Sequence, residues 1–193
     1  MLVQWLDDIG LHRPHLWGYS MGGRLGLYLA LHYPGRFDKV ILESTSPGLP
    51  SEAERKDRCE HDESLARRLE TGPLADFIDF WFAQPLFATL HRYPAELQTL
   101  RSRRLQSDPH GLAASLRGMG TGVMPPLWDK LPSLSRPTLL IVGGRDSKFL
   151  GIGRRMRQLS DWLDFRQIND AGHNVHFEKP HAVADVIADF VSR

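Results

Sequence analysis

Apolar positions along this chain fall into two rhythms. Short apolar runs at Pro14–Tyr19, Lys39–Glu43 and Pro137–Gly143, each bounded by turn residues, predict buried strands, and Asp164–Ile168 predicts a fourth, short one. Between and around them the period is helical. Met1–Gly10 carries Leu2, Trp5, Leu6 and Ile9 on one face with Gly10 as a C-cap. Met21–His32 forms a helix stopped by Pro34, and further helices are predicted at Lys148–Leu159 and Pro180–Val191. Strand and helix alternate, so the sheet is predicted to be mainly parallel and the class α/β.

From Ser44 to about residue 131 the strand rhythm disappears. Helical periodicities separated by Gly and Pro predict helices at Ser51–Leu69, Pro73–Phe82, Pro94–Gln106 and Gly111–Met119, the second rich in aromatics. An all-helical insertion between two strands of one sheet is positioned to cap the strand ends as a lid. The predicted organisation is therefore core at 1–49, helical lid at 50–131 and core again at 132–193.

Composition narrows the classes. At 193 residues and 41% hydrophobic content, the chain suits one packed domain carrying an insertion. Its 24 Lys and Arg against 23 Asp and Glu leave a formal charge of +1, which offers no field for nucleic acid or an anionic membrane. Cys59 is the single cysteine, so no internal disulfide and no multi-thiolate zinc cluster can form, and a reducing cytoplasm fits best. No run of about 18 apolar residues predicts a membrane span, and the acidic residues near the N-terminus are unlike an export signal.

The chemistry concentrates where the first strand meets its helix. Gly18-Tyr-Ser-Met-Gly22 is a Gly-x-Ser-x-Gly elbow, a sharp strand-to-helix turn that strains the Ser20 backbone and lifts its hydroxyl above the sheet. Gly18 and Gly22 are expected to lack side chains so that the turn can close. The helix opening at Met21 would aim backbone N–H groups at charge developing beside Ser20. Asp146 and His173 follow in the order Ser, Asp, His, each just beyond a predicted strand, so all three are expected at one rim of the sheet. An imidazole can take the serine proton, and a carboxylate fixes the imidazole tautomer. The plainer alternatives are a helix cap for Asp146 and a loop histidine for His173. His12, His15, His32, His61, His91, His110 and His181 read as solvated surface, and His176 lacks the Ala-Gly-His context.

Taken together, Gly18-Tyr-Ser-Met-Gly-Gly-Arg24, Ser46-Pro-Gly-Leu49, Pro85-Leu-Phe87, Ser115-Leu-Arg-Gly-Met-Gly-Thr-Gly122, Asp146-Ser-Lys-Phe149 and Ala171-Gly-His-Asn-Val-His176 resemble the 2-succinyl-6-hydroxy-2,4-cyclohexadiene-1-carboxylate (SHCHC) synthases of menaquinone biosynthesis. The resemblance implies an α/β-hydrolase fold, here an N-terminally truncated parallel sheet with an all-helical lid insertion. It implies a lyase that expels pyruvate from 2-succinyl-5-enolpyruvyl-6-hydroxy-3-cyclohexene-1-carboxylate without metal or organic cofactor. Ser20, polarised by His173 and Asp146, would act as a base on a ring proton. A small-molecule polycarboxylate needs cationic forks, and the family's motifs place Arg24, Arg58 and Arg104 in that role, with Arg55 competing for the register of Arg58. Tyr19, Met21, Trp81 and Phe87 would complete the substrate-binding set.

Members of that family begin with several strands before the elbow, including a loop that supplies a second oxyanion donor, whereas this chain starts within the helix preceding the elbow strand. It thus reads as a fragment or as the product of a misassigned start. The elbow strand would then be a sheet edge with unpaired backbone groups and uncovered apolar faces, which predicts marginal stability and self-association. Two further functional readings stay open: a serine hydrolase of esters or carbon–carbon bonds, and a non-catalytic truncated fragment.

Overall fold

Every residue of Val40–Glu43 (β2) and Thr138–Gly143 (β3) is buried, as expected of central strands covered on both faces. The computed structural model describes residues 2–193. Leu16–Tyr19 (β1) and Leu163–Ile168 (β4) flank the central pair, giving a four-stranded sheet in the order β1-β2-β3-β4 with all pairings parallel. The register runs Leu16 to Val40, Val40 to Thr138 and Thr138 to Leu163. Aligned parallel strands bring all four carboxyl ends to one rim.

The chain divides into two compact units, Met1–Pro47 with Leu127–Arg193, and Gly48–Pro126. In the first, Leu2–Asp8 (α1) precedes β1 and Met21–His32 (α2) follows it. The first helix is predicted from Met1, which lies outside the described residues. Gly10 ends α1 in the left-handed region at φ 72°, with the Leu11 amide donating back to the Leu6 carbonyl at 2.9 Å. Ser147–Leu159 (α7) lies between β3 and β4, and Val175–Glu178 (α8) and Pro180–Ser192 (α9) close the chain. Ile41, Leu139, Ile141, Ala171, Val175, Val183 and Phe190 form one core cluster, by which α9 covers a face of the sheet. Lys39 Nζ donates to the last carbonyls of α9, Phe190 and Val191, at 2.9 and 2.8 Å.

The second unit is helical throughout: Glu52–Thr71 (α3), Leu74–Phe82 (α4), Pro94–Arg104 (α5) and Pro109–Met119 (α6), with a 3-10 segment at Pro85–Arg92. Ser51 and Glu54 form a reciprocal capping box that starts α3. Leu65, Ala66, Leu69, Phe77 and Ala113 make the unit's core. Arg117 of α6 bridges Glu63 and Glu70 of α3 at 2.7 and 2.5 Å.

Three sequence expectations change. The helical pattern predicts an insertion running to residue 131, but 127–131 belong to the first unit: the Leu127 amide donates to the Pro47 carbonyl at 2.7 Å, so the chain re-enters where it left. Trp128 and Leu131 are buried there in a 3-10 segment that periodicity over so few residues does not reveal. Val175–Glu178, within the segment that the sequence predicts as the loop carrying His173, forms the short helix α8. At Gly22 an added Cβ would meet nothing within 4 Å, so the side chain that the elbow cannot accept is excluded at Gly18 and Gly23 instead.

Candidate active site

The elbow at Ser20 is strained as its sequence requires. Ser20 has φ 50° and ψ −107°, a conformation that costs a non-glycine residue of the order of 1–3 kcal/mol and persists only when its surroundings over-determine it. Those surroundings are specific. The Ser20 amide donates to the Glu43 carbonyl at 2.8 Å, and the Thr45 hydroxyl donates to the Ser20 carbonyl at 2.9 Å. A Cβ on Gly18 would stand 2.4 Å from the Gly22 carbonyl oxygen, and one on Gly23 would stand 2.8 Å from Thr45 Cβ. Backbone packing at two glycines therefore closes the turn.

Asp146 and His173 arrive from the ends of β3 and β4. Asp146 Oδ2 lies 2.8 Å from His173 Nδ1, and its Oδ1 accepts from the Phe149 amide at 3.3 Å. The aspartate is thus both helix cap and imidazole partner, so the two sequence readings of it coexist on its two oxygens. With Nδ1–H donating to the carboxylate, the His173 Nε2 lone pair faces the Ser20 hydroxyl at 3.0 Å. His173 and Asp146 are buried, whereas Ser20 is partly exposed. The ring of His173 is held between Phe149, at 4.6 Å centroid distance, and Tyr19, at 5.5 Å. The loop carrying it rests on β3 with no room to spare, since a Cβ on Gly143 would lie 2.0 Å from the Gly172 carbonyl oxygen.

The other sequence-derived residues divide between the units. In the first, Tyr19 ends β1 against His173, Met21 opens α2 with an exposed side chain, and Arg24 sits four residues beyond Ser20, half-buried, its amide bonded to the Ser20 carbonyl. In the helical unit, Arg58 pairs with buried Asp62 at 2.8 Å. Arg55, its competitor in register, donates to the Leu49 and Pro50 carbonyls at 3.0 and 2.8 Å and so anchors the unit's own entry segment. Trp81 stacks on Phe77 and lies 6.1 Å from the buried Phe87 ring, both within that unit's aromatic cluster. Arg104 is exposed on the last turn of α5.

Sequence reasoning assigned no role to Phe149, Glu43, Glu178 or His176. His176 bonds Glu43 through both its amide and its Nδ1, at 3.0 and 2.9 Å. The usable signal was an acid closing the apolar strand run of β2. A cavity of about 370 Å3 lined by Lys39, Trp162 and Phe190 lies at the opposite ends of the strands from Ser20. Among the described residues no group of three or more His, Cys, Asp or Glu is placed to hold a metal ion, and no helix is long and apolar enough to cross a membrane.

The α/β-hydrolase fold family model matches residues 1–180. A Bacillus subtilis (strain 168) protein assigned as 2-succinyl-6-hydroxy-2,4-cyclohexadiene-1-carboxylate synthase is 37% identical over 99% of this chain and 70% of its own length. The enzyme of that name from Serratia proteamaculans (strain 568) is 33% identical over 94% of this chain and 69% of its own. The chain belongs to the SHCHC synthase family of α/β hydrolases. Among solved SHCHC synthase relatives, MenH from S. aureus superposes with a TM-score of 0.94 at 36% identity, over 99% of this chain and 72% of that one.

Proposed function

We propose that this protein eliminates pyruvate from 2-succinyl-5-enolpyruvyl-6-hydroxy-3-cyclohexene-1-carboxylate to give SHCHC, a step of menaquinone biosynthesis, as a cytoplasmic lyase. The observation that carries the reading is the chain of contacts from Asp146 through His173 to Ser20, at 2.8 and 3.0 Å, in a member of the SHCHC synthase family.

His173 draws the proton of the Ser20 hydroxyl, and Asp146 stabilises the imidazolium that results. The serine oxygen removes the ring proton at C2, the electron pair left there forms the C2–C3 double bond, and the existing C3–C4 double bond moves to C4–C5 as the C5 bond to the enolpyruvyl oxygen breaks. The departing enolate of pyruvate takes up a proton and tautomerises, so the removed proton is balanced by the one returned. The helix opening at Met21 directs backbone donors toward the charge that spreads from the ring. Arg24, four residues beyond Ser20 on α2, binds a substrate carboxylate, and Tyr19 supplies aromatic contact.

Two assays on one preparation separate this reading from its rival. Pyruvate release from the enolpyruvyl substrate, abolished in Ser20→Ala, supports elimination. Stoichiometric labelling of Ser20 by a fluorophosphonate with no pyruvate release would instead make the protein a serine hydrolase.

A further inference from the structure

Two carboxylates outside the Ser20–His173–Asp146 chain are buried in the first unit. Glu43, at the end of β2, has no exposure, and Glu178, at the end of α8, has 4%. A carboxylate is taken out of water at a heavy cost unless donors are aimed at it. Here the donors come from the segment that carries His173. The Gly172 amide, immediately before His173, donates to Glu178 Oε2 at 3.0 Å. Three residues after His173, the His176 amide donates to Glu43 Oε1 at 3.0 Å, and the His176 ring Nδ1 lies 2.9 and 3.0 Å from the two Glu43 oxygens.

Glu43 also reaches the other reacting side. Its main-chain carbonyl accepts the Ser20 amide at 2.8 Å, so one residue holds the serine elbow with its backbone and the histidine segment with its side chain. Through His176 it also sets Tyr19, whose ring lies 5.0 Å from His176 and 5.5 Å from His173. On the opposite side the Arg145 amide donates to the Ala171 carbonyl at 2.8 Å, next to Asp146.

We propose that Glu43 and Glu178 are positioning residues, two buried carboxylates that clasp the His173 segment from either side and set the His173-to-Ser20 distance. Charged acceptors on backbone amides are shorter and stronger than neutral ones. They keep a loop, which would otherwise be the most mobile part of such a site, at a fixed register. The role in turnover rests on the elimination reading above, but the geometric role does not.

The test uses Glu43→Ala, Glu178→Ala and the isosteric Glu43→Gln and Glu178→Gln in the full chain. Each amide side chain keeps one oxygen to accept the backbone N–H, so the Gln variants should retain the clasp and the folded state. The readouts are the low-field proton resonance of the His173 Nδ1–H bound to Asp146, steady-state pyruvate release, and circular dichroism as a check on folding. In folded Ala variants the low-field resonance should broaden or vanish, and kcat should fall about ten- to a hundredfold with KM little changed, as for lost supporting partners. The Gln variants should restore the resonance and most of kcat. If the Ala variants do not fold, Glu43→Asp and Glu178→Asp, whose carboxylates stop one methylene short of the His176 and Gly172 amides, decide: a broadened or lost resonance in a folded variant supports the clasp, and a wild-type resonance overturns it. Ala variants that fold and keep both the resonance and kcat also overturn it. If the wild type releases no pyruvate, the elimination reading fails while the resonance still tests the clasp.

Discussion

A methyl group on Gly18 would stand 2.4 Å from the carbonyl oxygen of Gly22, although Gly22 itself has open space around its own Cβ position. The two glycines of the elbow motif therefore play unequal parts: Gly18 is a close-approach residue, and Gly22 is a helix residue that happens to be small. Gly18→Ala and Gly23→Ala should each destabilise the fold by at least about 1–3 kcal/mol, the usual cost of forced overpacking. Gly22→Ala should be neutral or should gain up to about 1 kcal/mol from helix propensity. Urea unfolding of the three variants gives the ranking, and equal losses at Gly18 and Gly22 would contradict it.

Asp146 divides its oxygens between the Phe149 amide and His173. Asp146→Asn retains an oxygen for the helix cap but cannot hold the imidazolium, so melting should change little while pyruvate release falls by about a hundredfold or more. A variant whose melting temperature collapses in step with activity would reduce Asp146 to a cap.

In the helical unit, hydrogen bonds from Arg117 and then Arg67 lower the Glu63 carboxyl from 4.5 to about 2. Arg117 likewise lowers Glu70 and is itself raised by both glutamates. A carboxylate with a depressed folded value stabilises fully above its unfolded value and loses that contribution as pH falls through the folded one. The contribution of this cluster should therefore be intact above pH 4.5 and should fade toward about pH 2. Melting curves against pH should show Arg117→Ala flattening this acid-side slope, with salt weakening the effect further. An unchanged slope would remove the cluster from the acid response.

Much of this architecture was legible along the chain because its signals are local. Lys39–Glu43 and Pro137–Gly143 are apolar runs between turn residues, and Met21–His32 is bounded by an elbow and by Pro34, so strands and helix fall close to where pattern puts them. Ser20, Asp146 and His173 were legible because each follows a strand of a parallel sheet, whose topology alone collects them at one rim. The clasp was not. Glu43 meets His176 across 133 residues, and nothing in a strand-end acid distinguishes a buried anchor from a solvated terminus until the fold supplies its donors. Arg55 and Arg58 were ambiguous for the complementary reason: both fit one helical register, and only the position of the Leu49 carbonyl and of Asp62 separates them.

The central claim is that the Ser20 oxygen, activated by His173, drives loss of pyruvate. The most direct measurement is kcat for pyruvate release from the enolpyruvyl substrate by the wild type and by folded Ser20→Ala. The account expects a loss of at least about a hundredfold with near-wild-type melting. Turnover by Ser20→Ala within a few fold of the wild type would contradict it.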